Sequence, residues 1–359
     1  MSRSPFCRSW LPKLGALTAT LMAMLVVSTA SLAETRPLQG PLMIEKQGSF
    51  FIGGREVQAD TLSTLPAYAP SGTVTVDQVY VRYQVPTNSG QHPKLVLIHG
   101  CCLTGKTWET TPDGRMGWDE YFVRKGFPTY VIDQAGRGRS ATNIAPINAV
   151  KMGKASPDQL PTIFAAGHEP AWAIFRFGPE HPKVFPGMQF PLDAQDEFWK
   201  QMVPDWLNAL PSPNPTIPAL SELAIRLGGA VLISHSQSGV FPFRAAAMNT
   251  RDIAGIVSIE PGACPSATDD LTPYTKMPIL VLFGDFVDQS PRWAPRLKTC
   301  RDFVAAVAKA GGEAELVLLP EIGIKGNSHM LMQDRNSLQV AEWLSGWIDE
   351  HVTQKRSAR

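Results

Sequence analysis

The chain has 359 residues, of which 44% are hydrophobic and 18% charged, with a formal net charge of +1. That composition excludes the highly charged, weakly hydrophobic class that stays disordered, and it gives no electrostatic reason to favour nucleic acid or an anionic lipid surface. The length suits one large α/β domain with an insertion, or two domains.

Arg3, Arg8 and Lys13 precede an apolar run from Leu14 to about Val27, and Ser31-Leu32-Ala33 follows. A basic start, a short apolar stretch and small residues at −3 and −1 form the pattern of a secretory signal, residues 1–33, cleaved after Ala33. An uncleaved anchor fits less well, because the run is shorter than the ~20 residues a bilayer needs. No cysteine stands at the cleavage point to carry a lipid. Cleavage removes three positive charges and no acid, so residues 34–359 carry a net charge of −2 and are expected in the periplasm or outside the cell. Export also changes the reading of the cysteines. Cys7 leaves with the signal, while Cys101, Cys102, Cys264 and Cys300 remain. An even number in an oxidising compartment suggests two bridges, with three pairings open. Zinc is the competing use, but the adjacent pair lacks the usual two-residue spacer, so no metal is expected.

Ser49 to Val57 reads as two short strands around Gly53-Gly54, a hairpin signal that gives the fold an N-terminal β-hairpin extension. Thr73 to Val85 alternates as a half-buried antiparallel strand does. Short, almost wholly apolar runs follow at Leu95–Ile98, Thr129–Ile132, Ala230–Ile233, Ile256–Ile259, Ile279–Phe283 and Leu316–Leu319. These read as strands buried on both faces. Between most of them lie helical patterns, such as Trp118–Lys125, Gly239–Met248 and Arg301–Ala310. The alternation predicts an α/β fold built on a doubly wound, mostly parallel sheet, with ligands at the carboxyl ends of the strands. One connection is too long for a plain loop. Residues 141–218 carry no buried-strand signal but hold Trp172, Phe175, Phe177, Phe198, Trp199 and Trp206. They read as a helical cap inserted before the nucleophile strand. Trp172, Phe175, Trp199 and Trp206 are candidates for an apolar pocket wall; the plainer alternative is that these aromatics pack the insertion onto the core.

The run Ala230–Ile233 ends in Ser234-His235-Ser236-Gln237-Ser238-Gly239 before a helix, a nucleophile-elbow pattern with serine in place of both usual glycines. The tight strand-to-helix turn needs small residues two before and two after its apex. Ser236 occupies that apex, and Ser234 and Ser238 do not. His99-Gly100-Cys101-Cys102 follows the first buried run, where an oxyanion loop belongs, and Asp133 to Ser140 forms a Gly-rich turn after the next. A dinucleotide reading of those glycines is weak, because only two are properly spaced and they open no helix. A serine nucleophile needs a base, and in this chain order the acid and then the histidine follow it. Only His329 and His351 lie downstream. His329 sits in a loop after the last strand, whereas His351, beside Glu350, reads as a solvated cation near the end of the terminal helix. For the acid, Glu260 follows Ile256–Ile259 and Asp285 follows Ile279–Phe283. Position alone favours Asp285.

Ser234 to Gly239, Cys101-Cys102, Asp133–Ser140 and Gly326–Met330 together resemble the atypical bacterial periplasmic esterases of the α/β-hydrolase superfamily. The likeness extends through Gly114–Tyr121, Trp172–Pro179 and Pro291–Leu297. It implies a glutamate acid after the sixth strand, which falls on Glu260 and makes Asp285 the reserve. It also implies a disulfide between Cys101 and Cys102 at the oxyanion loop, leaving Cys264 and Cys300 to pair. Adjacent Cα atoms lie ~3.8 Å apart, below the ~4.4–6.8 Å usual for disulfides, so such a bridge distorts its backbone. The expected oxyanion donors are an amide of Cys101 or Cys102 and that of Gln237. The expected activity is serine-dependent hydrolysis of a small carboxylic ester, apolar or aromatic, with no cofactor, no nucleic acid and no stable membrane anchor. A lactone, thioester or amide substrate, acyl transfer to another alcohol, or a non-catalytic binding role are the rival readings on the same scaffold.

Overall fold

The computed structural model describes residues 40–65, 67–206, 210 and 212–354. The expected signal sequence lies outside them. All elements below belong to the unit Leu42–Arg359.

Eight strands form one sheet: β1 (Ile44–Ala59), β2 (Gly72–Pro86), β3 (Lys94–Ile98), β4 (Thr129–Asp133), β5 (Ala230–His235), β6 (Ile253–Ile259), β7 (Ile279–Phe283) and β8 (Ala314–Leu318). Their order is β1-β2-β4-β3-β5-β6-β7-β8. Strands β3 to β8 run parallel, while β2 is antiparallel to both β1 and β4. This is the doubly wound, mostly parallel sheet that the alternating pattern predicts. Side chains alternate across it. Val96, Ile98 and Leu232 join a core cluster with Leu223, Phe243 and Phe303, while Leu95 and Leu97 are equally buried on the opposite face. Burial on both faces is why β3 to β7 read as unbroken apolar runs, whereas β8, expected to be buried likewise, is an edge strand and only half-buried.

The helices are α1 (Trp118–Arg124), α2 (Ala145–Lys151), α3 (His168–Ile174), α4 (Gln195–Lys200), α5 (Thr216–Leu227), α6 (Phe241–Met248), α7 (Ala294–Lys309) and α8 (Ser337–Ile348). Helix α5 shows why such segments start and stop where they do. The Thr216 amide donates to Asn214 Oδ1 at 2.9 Å before the first turn, and the helix ends at Gly228 with φ +65°. Glycine adopts that left-handed closing geometry without a Cβ penalty.

Two expectations need correction. Gly53 and Gly54 do not reverse the chain; β1 passes straight through them and pairs with β2 over its whole length. Both glycines have positive φ, as does Asp77 across the ladder, and the Arg55 Nε donates to Asp77 at 2.7 Å over this kink. The glycines bend a strand, and the hairpin is β1 with β2. The insertion between β4 and α5 is also less helical than expected. Its helices α2, α3 and α4 have seven, seven and six residues. Pro161, Pro179, Pro182, Pro186 and Pro191 interrupt longer runs, since proline lacks the donor that a helix interior needs. Aromatic packing organises the segment instead: Phe177 stacks on Phe190 with centroids 4.2 Å apart, and Phe198 meets Phe175 edge-on at 5.0 Å.

Cys264 and Cys300 form a disulfide with Cα atoms 5.2 Å apart, tying the loop after β6 to α7. No helix among the described residues is long and apolar enough to cross a membrane.

Candidate active site

The carboxyl ends of β3, β5 and β6 lie side by side in the sheet. Strand β5 ends at His235, and Ser236 opens a short 3-10 turn with φ +59°, a conformation that costs a non-glycine residue energy and pushes its side chain out of the turn. The neighbouring elements crowd this elbow. A Cβ on Gly100 would lie 2.8 Å from the Ser236 Cβ, and a Cβ on Gly239 would lie 2.6 Å from the Pro261 Cα. Ser234 and Ser238 fit because both are small and wholly buried, and the Ser238 Oγ donates to the His235 carbonyl at 3.0 Å.

The Ser236 hydroxyl donates to His329 Nε2 at 2.8 Å. The opposite ring nitrogen, Nδ1, donates to Glu260 Oε2 at 3.1 Å. Glu260 follows β6, has φ +51° and is fully buried. Asp285 lies elsewhere in the network. Its carboxylate accepts the amides of Phe286 at 2.8 Å and Gly326 at 2.9 Å, so it shapes the turns around the histidine loop. His351 is also placed differently from its sequence reading: it bonds Glu313 at 2.5 Å and stacks on Trp347.

Burial alone would raise the Glu260 carboxyl, but the Arg176 charge and hydrogen bonds, together with His329, hold it down to about 2. Burial lowers His329 to about 4 despite the opposing pull of Glu260, with the charges of Arg176 and Arg292 adding to the fall. The pair is therefore an ionised carboxylate and a neutral imidazole at neutral pH, the state in which a histidine can accept a hydroxyl proton. Beneath it, His235 is lowered to about 3 by burial and by His329, and its Nε2 donates to the His329 carbonyl at 2.9 Å. The loop carrying His329 is braced by buried Asp334, which accepts the Ser328 amide at 2.9 Å and the Ser328 hydroxyl at 2.6 Å.

Arg176 has no counterpart in the sequence-based site. It sits after α3, wholly buried, with φ +54°, and grips both Glu260 oxygens, its Nη2 donating to Oε1 at 2.5 Å. Its Nε donates to the Asp285 carbonyl at 2.9 Å. The available signal was a lone arginine between Phe175 and Phe177, since a cation inside an apolar stretch requires a buried acid.

A second buried ion pair, Arg137 with Asp205, lies beside the loop His99–Cys102. Arg137 donates to the Gly100 carbonyl at 2.9 Å and to Gln237 Oε1 at 2.8 Å, and Gln237 Nε2 donates to Asp205 at 2.6 Å. The Val203 amide donates to the Cys102 carbonyl at 2.9 Å. In this structure Cys101 and Cys102 stand as free thiols, without the bridge that the resemblance implies. The Cys101 thiol donates to Asp205 at 3.1 Å. The turn is held by the Arg137 network and by Cys102 at φ +60°. The neighbouring Cys102 thiol, burial and Asp205 all push the Cys101 thiol up, so it stays protonated. Cys101, Cys102 and Asp205 bring potential ligand atoms within 4.8 Å of one another. A protonated thiol and a carboxylate already engaged by Arg137 make a poor metal site, because metal binding needs free, deprotonated ligands.

Ser236, Gln237, Cys101 and Cys102 open onto a cavity of about 570 Å³. Phe164, Ile174 and Phe175 from the insertion form part of its wall. Of the four aromatics expected there, only Phe175 lines it. Trp172 and Trp199 are buried in the aromatic packing of the insertion, and Trp206 lines a separate hollow.

No family model matches the chain. A solved structure of a novel bacterial esterase is 61% identical, covers 87% of this chain and 98% of its own, and superposes with a TM-score of 0.85. The probable secreted lipase phiG of a fungal species (strain ATCC 74256) is 27% identical over an alignment of 327 residues that covers 76% of this chain and 86% of its own. A doubly wound sheet with a serine elbow at its carboxyl edge, and near-complete coverage of an esterase at this identity, lead to one assignment: the chain belongs to the esterases of the α/β-hydrolase superfamily and is a carboxylic-ester hydrolase.

Proposed function

We propose that the protein is a secreted serine esterase in which Ser236 is the nucleophile, His329 the general base and Glu260 the acid. The observation that carries this reading is the unbroken hydrogen-bonded chain from the Ser236 hydroxyl through His329 to Glu260, opening on the cavity. His329 takes the hydroxyl proton as Ser236 attacks the ester carbonyl, and Glu260 stabilises the imidazolium and fixes its tautomer. The amide of Gln237 and that of Cys101 or Cys102 hold the tetrahedral oxyanion, a type of contact worth about 3–4 kcal/mol per donor. His329 then protonates the leaving alcohol, and water repeats the sequence on the acyl-enzyme. Phe164, Ile174 and Phe175 favour an apolar or aromatic group on the substrate. Secretion is supported by the residue pattern ending at Ala33 and by the likeness to a probable secreted lipase. In this reading residues 141–218 act as the cap.

The test is hydrolysis of p-nitrophenyl esters of increasing chain length by the protein and by Ser236→Ala. Turnover that vanishes in the variant is the expected result. Turnover that survives it would move the nucleophile elsewhere.

A further inference from the structure

The acyl-transfer steps leave one charged feature of the cavity unused. Arg292, exposed in the turn before α7, and Arg296, in the first turn of the helix, stand four residues apart, and both line the cavity with Ser236. Like charges at this spacing repel. Burial and the charge of Arg292 together lower Arg296, and Arg292 also acts on His329. Neither guanidinium pairs with a described carboxylate. Arg296 spends its Nε on the Gly262 carbonyl at 3.0 Å and its Nη1 on the Arg292 carbonyl, and the Arg292 side chain forms no hydrogen bond among the described residues. The Trp293 ring lies 5.4 Å from the Arg296 guanidinium and supports it.

The other charges around the cavity are matched. Asp205 in the lining is held by Arg137, Gln237 and the Cys101 thiol, and Arg176 is held by Glu260. Two positive charges therefore remain at one side of an otherwise largely apolar opening. A pair of unmatched guanidinium groups is a poor element of stability but a good receptor for an anion, and their planar donor forks match a carboxylate.

We infer that Arg292 and Arg296 bind an ionised carboxylate carried by the ester substrate, so that the enzyme prefers half-esters or carboxylate-bearing alcohol esters over neutral esters of the same size. This deepens the serine mechanism proposed at Ser236 and rests on it. The guanidinium pair holds the carboxylate while the apolar wall of Phe164, Ile174 and Phe175 packs the chain that joins it to the scissile bond.

Two matched pairs of substrates test it. p-Nitrophenyl hemiglutarate against p-nitrophenyl butyrate places the carboxylate on the acyl side, and 4-acetoxybenzoate against phenyl acetate places it on the alcohol side. The readout is the ratio of kcat/KM, anionic over neutral, for the wild type and for the Arg292→Gln/Arg296→Gln double variant. The expected result is a ratio of about ten or more in one pair, in keeping with a hydrogen bond to a charged group. That ratio should collapse towards one in the variant, and shrink in the wild type as salt is raised. The responding pair identifies the side that carries the carboxylate. Ratios near or below one in both wild-type pairs would overturn the inference, as would a preference that survives the double variant. If no substrate shows Ser236-dependent turnover, the serine mechanism falls and this inference with it; neutral esters turned over with a flat ratio remove this inference alone.

Discussion

The sheet edge and the insertion contribute to the same site by different physics. Ser236, Glu260 and the His99–Cys102 loop stand at the ends of strands whose register fixes them: β5 pairs with β3 and β6, so the three turns are neighbours by construction. Arg176 and Asp205 come from a segment with little regular structure, and each is positioned by a buried ion pair with a partner far away in sequence. Strand-end groups have their place set by backbone pairing. Insertion groups have theirs set by charge burial, which tolerates no half-made contact, because removing one partner leaves an uncompensated charge. Substitutions at sheet-edge groups outside the ion pairs, such as Ser236, should therefore cost rate while leaving the fold intact, and substitutions in the ion pairs, Glu260 included, should cost both.

The largest contrast lies within the sheet edge. Ser236→Ala should lower kcat by roughly 10⁴-fold or more with little change in thermal midpoint, and Glu260→Gln by about 10⁴-fold through loss of the imidazole tautomer, with a loss of stability as well because it strands the buried Arg176. Asp285→Asn should fall far short of that, since its carboxylate caps turns and does not reach His329. Steady-state kinetics and melting curves on the three variants separate the cases.

On the insertion side, Arg176→Gln should destabilise the protein by about 3–5 kcal/mol by stranding Glu260, and should also slow catalysis. Chemical unfolding beside kinetics measures both; a variant with unchanged stability would erase the distinction between the two regions.

Acid should expose the same buried groups. His99 and His329 are lowered to about 4 and His235 to about 3, burial being the largest cause for each. The unfolded chain takes up these protons first, so stability is full above about pH 6.5 and falls as pH drops towards 4, by at most about 1.4 kcal/mol per group per pH unit. Melting temperature from pH 8 to pH 4.5 tracks this, and a flat profile would mean that these imidazoles are not buried neutral.

The Cys264–Cys300 staple closes a loop of 36 residues. Its replacement by serines should cost about 2–4 kcal/mol with the catalytic constants preserved. The smallest effect concerns pH and rate. The acid limb of kcat/KM should lie near pH 4, set by His329, and Arg292→Gln should move it up by about a few tenths of a unit, because a neighbouring cation lowers an imidazole.

The same contrast explains what could be read from residues alone. The apolar runs declare strands, five of them buried as read and the last, Leu316–Leu319, only half-buried because β8 is the edge of the sheet, and their ends point to Ser236, His329 and two candidate acids. Between Glu260 and Asp285 position pointed to Asp285 and only the resemblance to Glu260, because both follow parallel strands; the difference lies in which carboxylate faces the histidine, and that is Glu260. Gly53-Gly54 misled because paired glycines serve a kink as well as a turn. Arg176, Arg137 and Asp205 carry no periodic signal, and their partners lie 84 and 68 residues away. Trp172 and Trp199 looked like pocket wall, yet they pack the insertion, since composition says that a segment has an apolar interior without saying which ring faces the cavity.

The measurement that tests the central claim most directly is covalent labelling with a fluorophosphonate, with the adduct mapped by peptide mass spectrometry in the wild type and in His329→Ala. The expected result is a single adduct on Ser236 that forms rapidly in the wild type and is lost or greatly slowed without the imidazole. An adduct on another residue, or labelling of Ser236 that proceeds equally fast without His329, would contradict a nucleophile activated through the Ser236–His329–Glu260 chain.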